Sequence, residues 1–331
     1  MENKPAIAVA GAGYWGVNHV RNFYELDALG TVCDTSEKSL SRIAERFRGA
    51  RTETDFDKVL SDASIRGVVI ATPAEYHFRM ALSAIEAGKD VLVEKPLTLS
   101  VEEGERLVRL ARERGAILMV GHLLEYHPAV LRLRELISTG ALGHLRYIYS
   151  SRLNLGKVRR EENILWSFAP HDIAIILRLV GSLPAKVAAT GGAYLQPAIA
   201  DVTVTHLEFI GGVRAHIFVS WLHPYKEQRM SVIGSSRMAL FDDVVKQDKL
   251  RVFDQGVELI DGEMVTRRNE GVSETIAADE PLRSQCLHFL ECIKTRRIPL
   301  TDGESGLRVL RVLDAAETSL ARGGEPVDLK G

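Results

Sequence analysis

Cysteine is scarce in this chain: three in 331 residues, Cys33, Cys286 and Cys292. They show no metal-ligand spacing, and pairing two would leave one over. Neither a metal module nor a disulfide framework is therefore expected, and a reduced, cytoplasmic setting fits. Long apolar runs are missing too. No segment approaches the roughly 18 residues a membrane-spanning helix needs. The opening MENKPAIAVAG has no long apolar stretch behind its charges, so a signal peptide is not expected either. Charge of one sign is also lacking: 42 basic against 44 acidic side chains give a formal net charge of −2. That balance offers no electrostatic reason to expect nucleic acid or an anionic membrane as partner. Lys157–Arg160 is a local basic cluster and a candidate anion site. The sequence shows no internal repeat and no low-complexity linker.

What is present is an ordinary soluble composition, 46% hydrophobic and 26% charged, in a chain longer than one comfortable core. Two domains are expected. Residues 6–121 alternate between strand and helix patterns. Ala6–Ala10, Gly30–Cys33, Gly67–Thr72, Asp90–Glu94 and Ala116–Gly121 are short and apolar, as parallel strands covered on both faces should be. Between them, Leu40, Ile43, Ala44 and Phe47 keep helical spacing behind a Ser36 cap. Met80, Ala81, Ala84 and Ile85 do so before Gly88, and Ser100 with Glu103 matches a capping box ahead of Gly115. Such alternation implies right-handed crossovers and a doubly wound parallel sheet, whose ligands bind at the carboxyl ends of the strands.

AVAGAGYWG sets Gly11, Gly13 and Gly16 in a G-x-G-x-x-G pattern directly after the first strand. The first glycine permits a tight turn, the second lets a pyrophosphate approach the backbone, and the third packs helix against strand. Asp34 ends the second strand, where a carboxylate accepts both adenosine-ribose hydroxyls and repels a 2′-phosphate. No arginine follows at Thr35 or Ser36, so NAD is favoured over NADP. The plainer alternatives are a tight turn with Asp34 as a helix cap, and a methyltransferase-like nucleotide site. VLVEKPLTLS then brings Lys95 to the carboxyl edge of the fourth predicted strand, where it either escapes to solvent or faces the cleft.

After His122 the pattern changes. Pro128–Ser138 is helical, His144–Leu155 is a strand, and Ile164–Gly181 is helical again. From Lys186 to about Met264 the chain is β-rich, with Gly211-Gly212 a hairpin signal. Leu282–Lys294 and Gly303–Ala321 read as helices. This second part is an α+β domain on a large, mostly antiparallel open sheet. One face of it awaits solvent or a partner subunit.

The glycine loop, ATPAEYH (Ala71–His77), EKP (Glu94–Pro96) and FAPHDI (Phe168–Ile173) together resemble the glucose–fructose oxidoreductase, inositol dehydrogenase and MocA family over essentially the whole chain. The resemblance implies an α/β fold with a Rossmann domain over 1–121 and a substrate and oligomerisation domain over 122–331. The closing helix is a candidate to pack back on the first domain. It further implies an active site between the domains and an NAD- or NADP-dependent reaction at a carbinol carbon of a sugar, cyclitol or sugar nucleotide. Lys95 matches the family's active-site lysine and His171 its histidine. His171 is expected in the first turn of a Pro170–Val180 helix, where the positive dipole end favours a neutral imidazole able to take the hydroxyl proton. Lys95 would hydrogen-bond the same oxygen. Glu94 is read as orienting or cofactor-facing, and Asp172 as a helix N-terminal acid. Many family members carry an aspartate four residues before the histidine, and here that position is Ser167.

The expected cofactor residues are Gly11, Gly13, Tyr14, Trp15, Gly16, Asp34, Thr72, Pro73, His77, Glu94, Lys95 and His122; His77 and His122 could equally be packing. The expected substrate residues are Lys95, Tyr126, Arg152, Asn154, Arg160, Asn163, Trp166, Ser167 and His171, with Trp221–Arg229 a second polar run. Asparagine and arginine suit sugar hydroxyls, a tryptophan stacks on a pyranose face, and the basic cluster could grip a phosphate or carboxylate. Solvated charge on a loop is the plainer reading. The sharper one is a nucleotide-linked amino sugar such as UDP-N-acetylglucosamine, oxidised at C3. A free-sugar or inositol dehydrogenase, and a non-catalytic dinucleotide-binding regulator, are the alternatives. A homodimer or homotetramer through the C-terminal sheet is expected, with no nucleic-acid or membrane partner.

Overall fold

The computed structural model describes residues 6–156 and 158–329. It divides into two compact units. Unit one runs to Tyr126 and takes in Asp279–Leu310; unit two holds His127–Ala278 and the chain from Arg311 onward.

Unit one is built on six strands, β1 (Ala6–Ala10), β2 (Leu29–Cys33), β3 (Arg51–Glu53), β4 (Ile65–Ile70), β5 (Asp90–Val93) and β6 (Leu118–Val120). All pair in parallel, in the order β3-β2-β1-β4-β5-β6. The chain winds outward from β1, then crosses back to β4, so the order reverses beside β1. That switch point is where such sheets open a crevice at the strands' carboxyl ends. Alternate residues feed two cores, because neighbouring side chains point to opposite faces. Ile7, Val9, Val69, Leu92 and Met119 meet α1 (Gly16–Glu25), α2 (Glu37–Arg46) and α8 (Pro281–Thr295). Ala8, Ala10, Val68, Ile70, Val91 and Val93 meet α3 (Phe56–Ser61), α4 (His77–Glu86) and α5 (Val101–Arg114).

The local signals act as read. Ser36 Oγ accepts from Ser39 N at 3.3 Å, and Ser100 Oγ from Glu103 N at 3.2 Å, the serine half of the capping box. Gly88 and Gly115 take left-handed φ of 73° and 61° at helix ends. The three-residue β3 and six-residue α3 were not expected: each is too short and polar to register as periodicity. Helix α8, expected with the later domain, falls in unit one, where Leu282, Cys286, Phe289 and Ile293 join the core.

Unit two opens with α6 (Pro128–Ser138), β7 (Leu145–Leu153) and α7 (Ile164–Val180). Its strands continue as β8 (Lys186–Gly192), β9 (Val202–Glu208), β10 (Arg214–Ser220), β11 (Glu227–Gly234), β12 (Met238–Asp242) and β13 (Leu250–Phe253). The exposed hairpin β14 (Gly256–Ile260) and β15 (Glu263–Arg267) forms its own small sheet, before β16 (Val272–Ser273). After α9 (Gly303–Ala321), β17 (Val327–Asp328) completes a nine-stranded sheet ordered β16-β13-β12-β11-β7-β10-β9-β8-β17. Only β7 and β10 pair in parallel within it. Gly211 and Gly212, at φ 94° and 89°, turn the β9–β10 hairpin, a conformation that costs other residues strain. Helix α7 lies against β7, β9 and β10, at the centre of the sheet.

One expectation is corrected here. Helix α7 has the extent expected from the Ile164–Gly181 pattern and does not open at Pro170: Asn163 caps it, its Oδ1 accepting from Trp166 N at 3.2 Å, and Pro170 lies inside. His171 therefore comes after about two turns. The dipole effect fades within the first turn, so it supplies no argument for a neutral His171.

Candidate active site

In unit one the glycine loop spans from the end of β1 to the start of α1. A Cβ on Gly11 would stand 2.6 Å from Ala71 O, at a φ of 98°, and one on Gly16 would overlap the Gly11 carbonyl oxygen. Those two glycines are required by the protein itself. Gly13 differs: a Cβ there meets no atom within 4 Å. The open space over its backbone is the cradle a pyrophosphate needs. Asp34 closes one side, its Oδ2 accepting from Ala12 N at 2.6 Å and Oδ1 from Ser36 N at 2.8 Å. Each oxygen keeps acceptor capacity for a ribose hydroxyl. Tyr14 is fully exposed beside the loop and Thr72 is half-buried. Pro73 is exposed at the end of β4.

The EKP segment follows β5, with the Lys95–Pro96 bond cis and Lys95 half-buried. Glu94 is 7% exposed and satisfied on every side. Its Oε1 accepts from Trp15 Nε1 at 2.6 Å and from His19 Nε2 at 2.7 Å, and its Oε2 from Lys95 N at 3.2 Å. Burial pushes its pKa up, but those hydrogen bonds outweigh it and hold the carboxyl below its ordinary value. Gly121 gives it room: a Cβ there would lie 2.7 Å from Glu94 Oε2. His77 has Nδ1 2.7 Å from Pro96 O and Nε2 3.0 Å from Thr72 O. Burial lowers its pKa, and a neutral ring donates to only one of these two carbonyls, yet both nitrogens lie against protein oxygens. His122 is the opposite case. It is 2% exposed, and neither ring nitrogen has a partner among the described residues. Burial, with Lys95 nearby, takes its pKa down to about 4 against the pull of Glu94. A buried imidazole with both nitrogens unmet calls for a ligand group. Together with the Gly13 cradle and Asp34, it fits a dinucleotide.

Tyr126 is buried, its hydroxyl 3.0 Å from His288 Nδ1 and 3.3 Å from Thr301 Oγ1. Burial pushes its pKa up, so it is a packing group with its polar atom already engaged.

Unit two carries the histidine end. Asp172 is buried, accepting from Ser150 Oγ at 2.5 Å and from Arg152 Nε at 2.7 Å and Nη2 at 3.4 Å. This pair ties α7 to β7 and sets the rotation of the helix that carries His171. Arg152, expected to meet substrate, is thus spent largely on Asp172. Asn163 Nδ2 and Trp166 Nε1 both donate to Glu317 Oε2, at 2.8 and 3.1 Å, which fixes the indole edge of the half-buried Trp166. Ser167 is buried and His171 half-buried on the same helix. Asn154 is half-buried, and Arg160 is exposed with its N–H on Glu161 Oε2. Lys157, from the expected basic cluster, lies outside the described residues. Among the described residues no cluster of His, Cys, Asp or Glu could hold a metal ion. Among the described residues no helix is long and apolar enough to cross a membrane.

Sequence reasoning missed His19, Cys286 and Glu317. His19 left a signal: a polar side chain on the face of α1 that also carries Val20 and Phe23 into the core.

Comparison with known proteins bears on the family and the fold. Residues 6–122 match the oxidoreductase family with an NAD-binding Rossmann fold, and residues 130–239 match the GFO/IDH/MocA C-terminal domain. The UDP-N-acetylglucosamine 3-dehydrogenase of Acidithiobacillus ferrooxidans is 29% identical over 91% of this chain and 93% of its own. A crystal form of that enzyme superposes with a TM-score of 0.84, covering 96% of this chain and 98% of its own. The NAD(+)-dependent scyllo-inositol 2-dehydrogenase of Bacillus subtilis is 27% identical over 99% of this chain and 97% of its own. GenD2 from gentamicin A biosynthesis, solved with NAD, is 25% identical with a TM-score of 0.84, covering 100% of this chain and 98% of its own. With both of its parts matched, the chain belongs to the Gfo/Idh/MocA family of oxidoreductases, and its first unit is an NAD-binding Rossmann domain.

Proposed function

We propose that this protein oxidises C3 of a nucleotide-linked amino sugar, UDP-N-acetylglucosamine being the chemistry that fits best. The observation that carries the reading is near full-length similarity to a UDP-N-acetylglucosamine 3-dehydrogenase. Alongside it stand the open Gly13 cradle, the Asp34 acceptor and the unmet His122 ring. NAD, when bound, supplies the hydride acceptor. Gly11, Gly13, Gly16 and the exposed Tyr14 hold the pyrophosphate, Asp34 the adenosine ribose, and Thr72, Pro73, Glu94 and His122 line the nicotinamide end. Lys95 donates a hydrogen bond to the reacting hydroxyl oxygen and stabilises its developing charge. His171 takes that hydroxyl's proton. The Arg152–Asp172 pair holds the turn that presents His171, so Arg152 acts by positioning rather than by gripping the sugar. Trp166, Asn154 and Asn163 contact the sugar, and Arg160 meets an anionic group of the substrate. Ser167 stands where many family members carry an aspartate, so that position offers His171 a hydroxyl in place of a carboxylate.

A second reading, an inositol dehydrogenase, is supported by the similarity to scyllo-inositol 2-dehydrogenase. Turnover of free inositol, with none of UDP-N-acetylglucosamine, would decide for it. In either case the protein works as a cytoplasmic homo-oligomer. The sheet face bearing Tyr147 and His206, exposed in the single chain, and Tyr149 and His216, half-buried, is the contact surface. Light scattering that returned a monomer mass near 36.6 kDa at micromolar concentration would contradict the oligomer.

A further inference from the structure

Glu94 is more elaborately held than a merely polar lining residue needs. Three donors converge on it from three places: the Trp15 indole in the glycine loop, the His19 ring on α1, and its neighbour's backbone N–H. Behind His19 stands Cys286 of α8, its Sγ 3.8 Å from His19 Nδ1. The Glu94 carboxylate only accepts, so His19 carries an N–H on Nε2, the nitrogen facing it. Burial pushes the thiol's pKa up, so Cys286 stays neutral beside Nδ1. The groups form one chain, thiol to imidazole to carboxylate, all buried within unit one. Its effect is to keep a full negative charge, with little freedom to move, at the carboxyl end of β5. The other charged or titratable groups that interact with it include Lys95, His122 and His77, and burial lowers the pKa of both histidines.

We infer that Glu94, fixed by Trp15, His19 and Cys286, is a redox-tuning anion that makes this protein bind oxidised nicotinamide in preference to reduced. The inference rests on the reading above, which puts the nicotinamide end beside the EKP segment. Oxidation of the sugar moves a hydride to the ring, the hydroxyl proton to His171, and leaves a carbonyl. The ring is a cation before that step and neutral after it. A carboxylate fixed nearby stabilises only the first state, and low local dielectric magnifies the difference. It also offsets the Lys95 ammonium, which would otherwise repel the oxidised ring. Trp15, His19 and Cys286 act as positioning residues, since each works through the carboxylate.

The test is to titrate NAD+, NADH and ADP-ribose into the full-length protein by calorimetry. The variants are Glu94→Gln, His19→Leu and His19→Gln. Glu94→Gln should weaken NAD+ relative to NADH by about tenfold or more while ADP-ribose, which has no nicotinamide, binds as before. His19→Leu removes one donor and should shift the ratio the same way by less, whereas His19→Gln keeps an amide donor and should restore most of it. An unchanged NAD+/NADH ratio overturns the inference and leaves the dehydrogenase reading intact. So does equal weakening of all three ligands, which would mark a purely structural role. If Glu94→Gln does not fold, the two His19 variants decide by the same ratio. A wild-type protein that binds neither dinucleotide overturns both.

Discussion

The glycine loop separates folding from binding in a way that two alanines can test. At Gly16 a methyl would overlap the Gly11 carbonyl oxygen and reach 2.9 Å from the Gly11 carbonyl carbon. Both obstacles are backbone and cannot rotate away, so the loop or α1 must move. Overpacking of this kind costs about 1–3 kcal/mol, occasionally more, against less than about 1 kcal/mol returned by better helix propensity. Gly16→Ala should therefore lower Tm by several degrees. At Gly13 the methyl meets nothing within 4 Å, and φ lies outside the left-handed region. Gly13→Ala should leave Tm unchanged or raise it slightly, because alanine narrows the unfolded ensemble by about 0.4–1 kcal/mol. The same methyl occupies the space a pyrophosphate needs, so NAD affinity should fall at least tenfold, about 1.4 kcal/mol. Thermal melts without cofactor and calorimetric titration with NAD read the two effects separately. Unaltered NAD affinity in Gly13→Ala would refute the cradle, and an unaltered Tm in Gly16→Ala would refute the packing argument.

Asp34→Ala removes the acceptor of two backbone N–H groups and of the ribose hydroxyls; the ratio of NADP to NAD dissociation constants should drop by roughly tenfold, and a constant ratio would show that Asp34 does not discriminate. Asp172→Ala strands a buried guanidinium and should cost unit two about 3–5 kcal/mol in urea unfolding, whereas exposed Arg160→Ala should stay within about 0.5 kcal/mol. His122 titrates at about 4 when folded and near 6.5 when unfolded, so the unfolded chain binds more protons between those values. Stability without cofactor should therefore fall by about 3 kcal/mol as pH drops from 6.5 to 4. His122→Asn should remove that part of the slope, and an identical slope in the variant would mean another group is responsible.

Much of the cofactor half was legible because its signals are local. A glycine spaced for a turn, an acid at a strand end and a serine ahead of a helix each report on their own few residues. What escaped was long-range pairing. His19 meets Glu94 from 75 positions away, and Cys286 reaches His19 across 267. Nothing in the periodicity of α1 or α8 names those partners. Arg152 reads as a sugar ligand until Asp172 is seen to occupy it, and Tyr126 until His288 and Thr301 are. The apolar pattern gave the full extent of α7, Ile164–Gly181; only the placing of His171 in a first turn opened by Pro170 fails, since proline often opens a helix and the true cap, Asn163, lies in a run of charges.

The most direct measurement is absorbance at the reduced-nicotinamide band with NAD and UDP-N-acetylglucosamine, with 2-oxoglutarate offered as a hydride acceptor in a parallel run. Wild type should be assayed beside Lys95→Ala, with inositol and free glucose as comparison substrates. The account predicts accumulation of reduced cofactor with the sugar nucleotide and a loss of roughly 10²-fold or more in the variant. An equal rate in Lys95→Ala, or silence with every sugar while NAD is shown to bind, would contradict it.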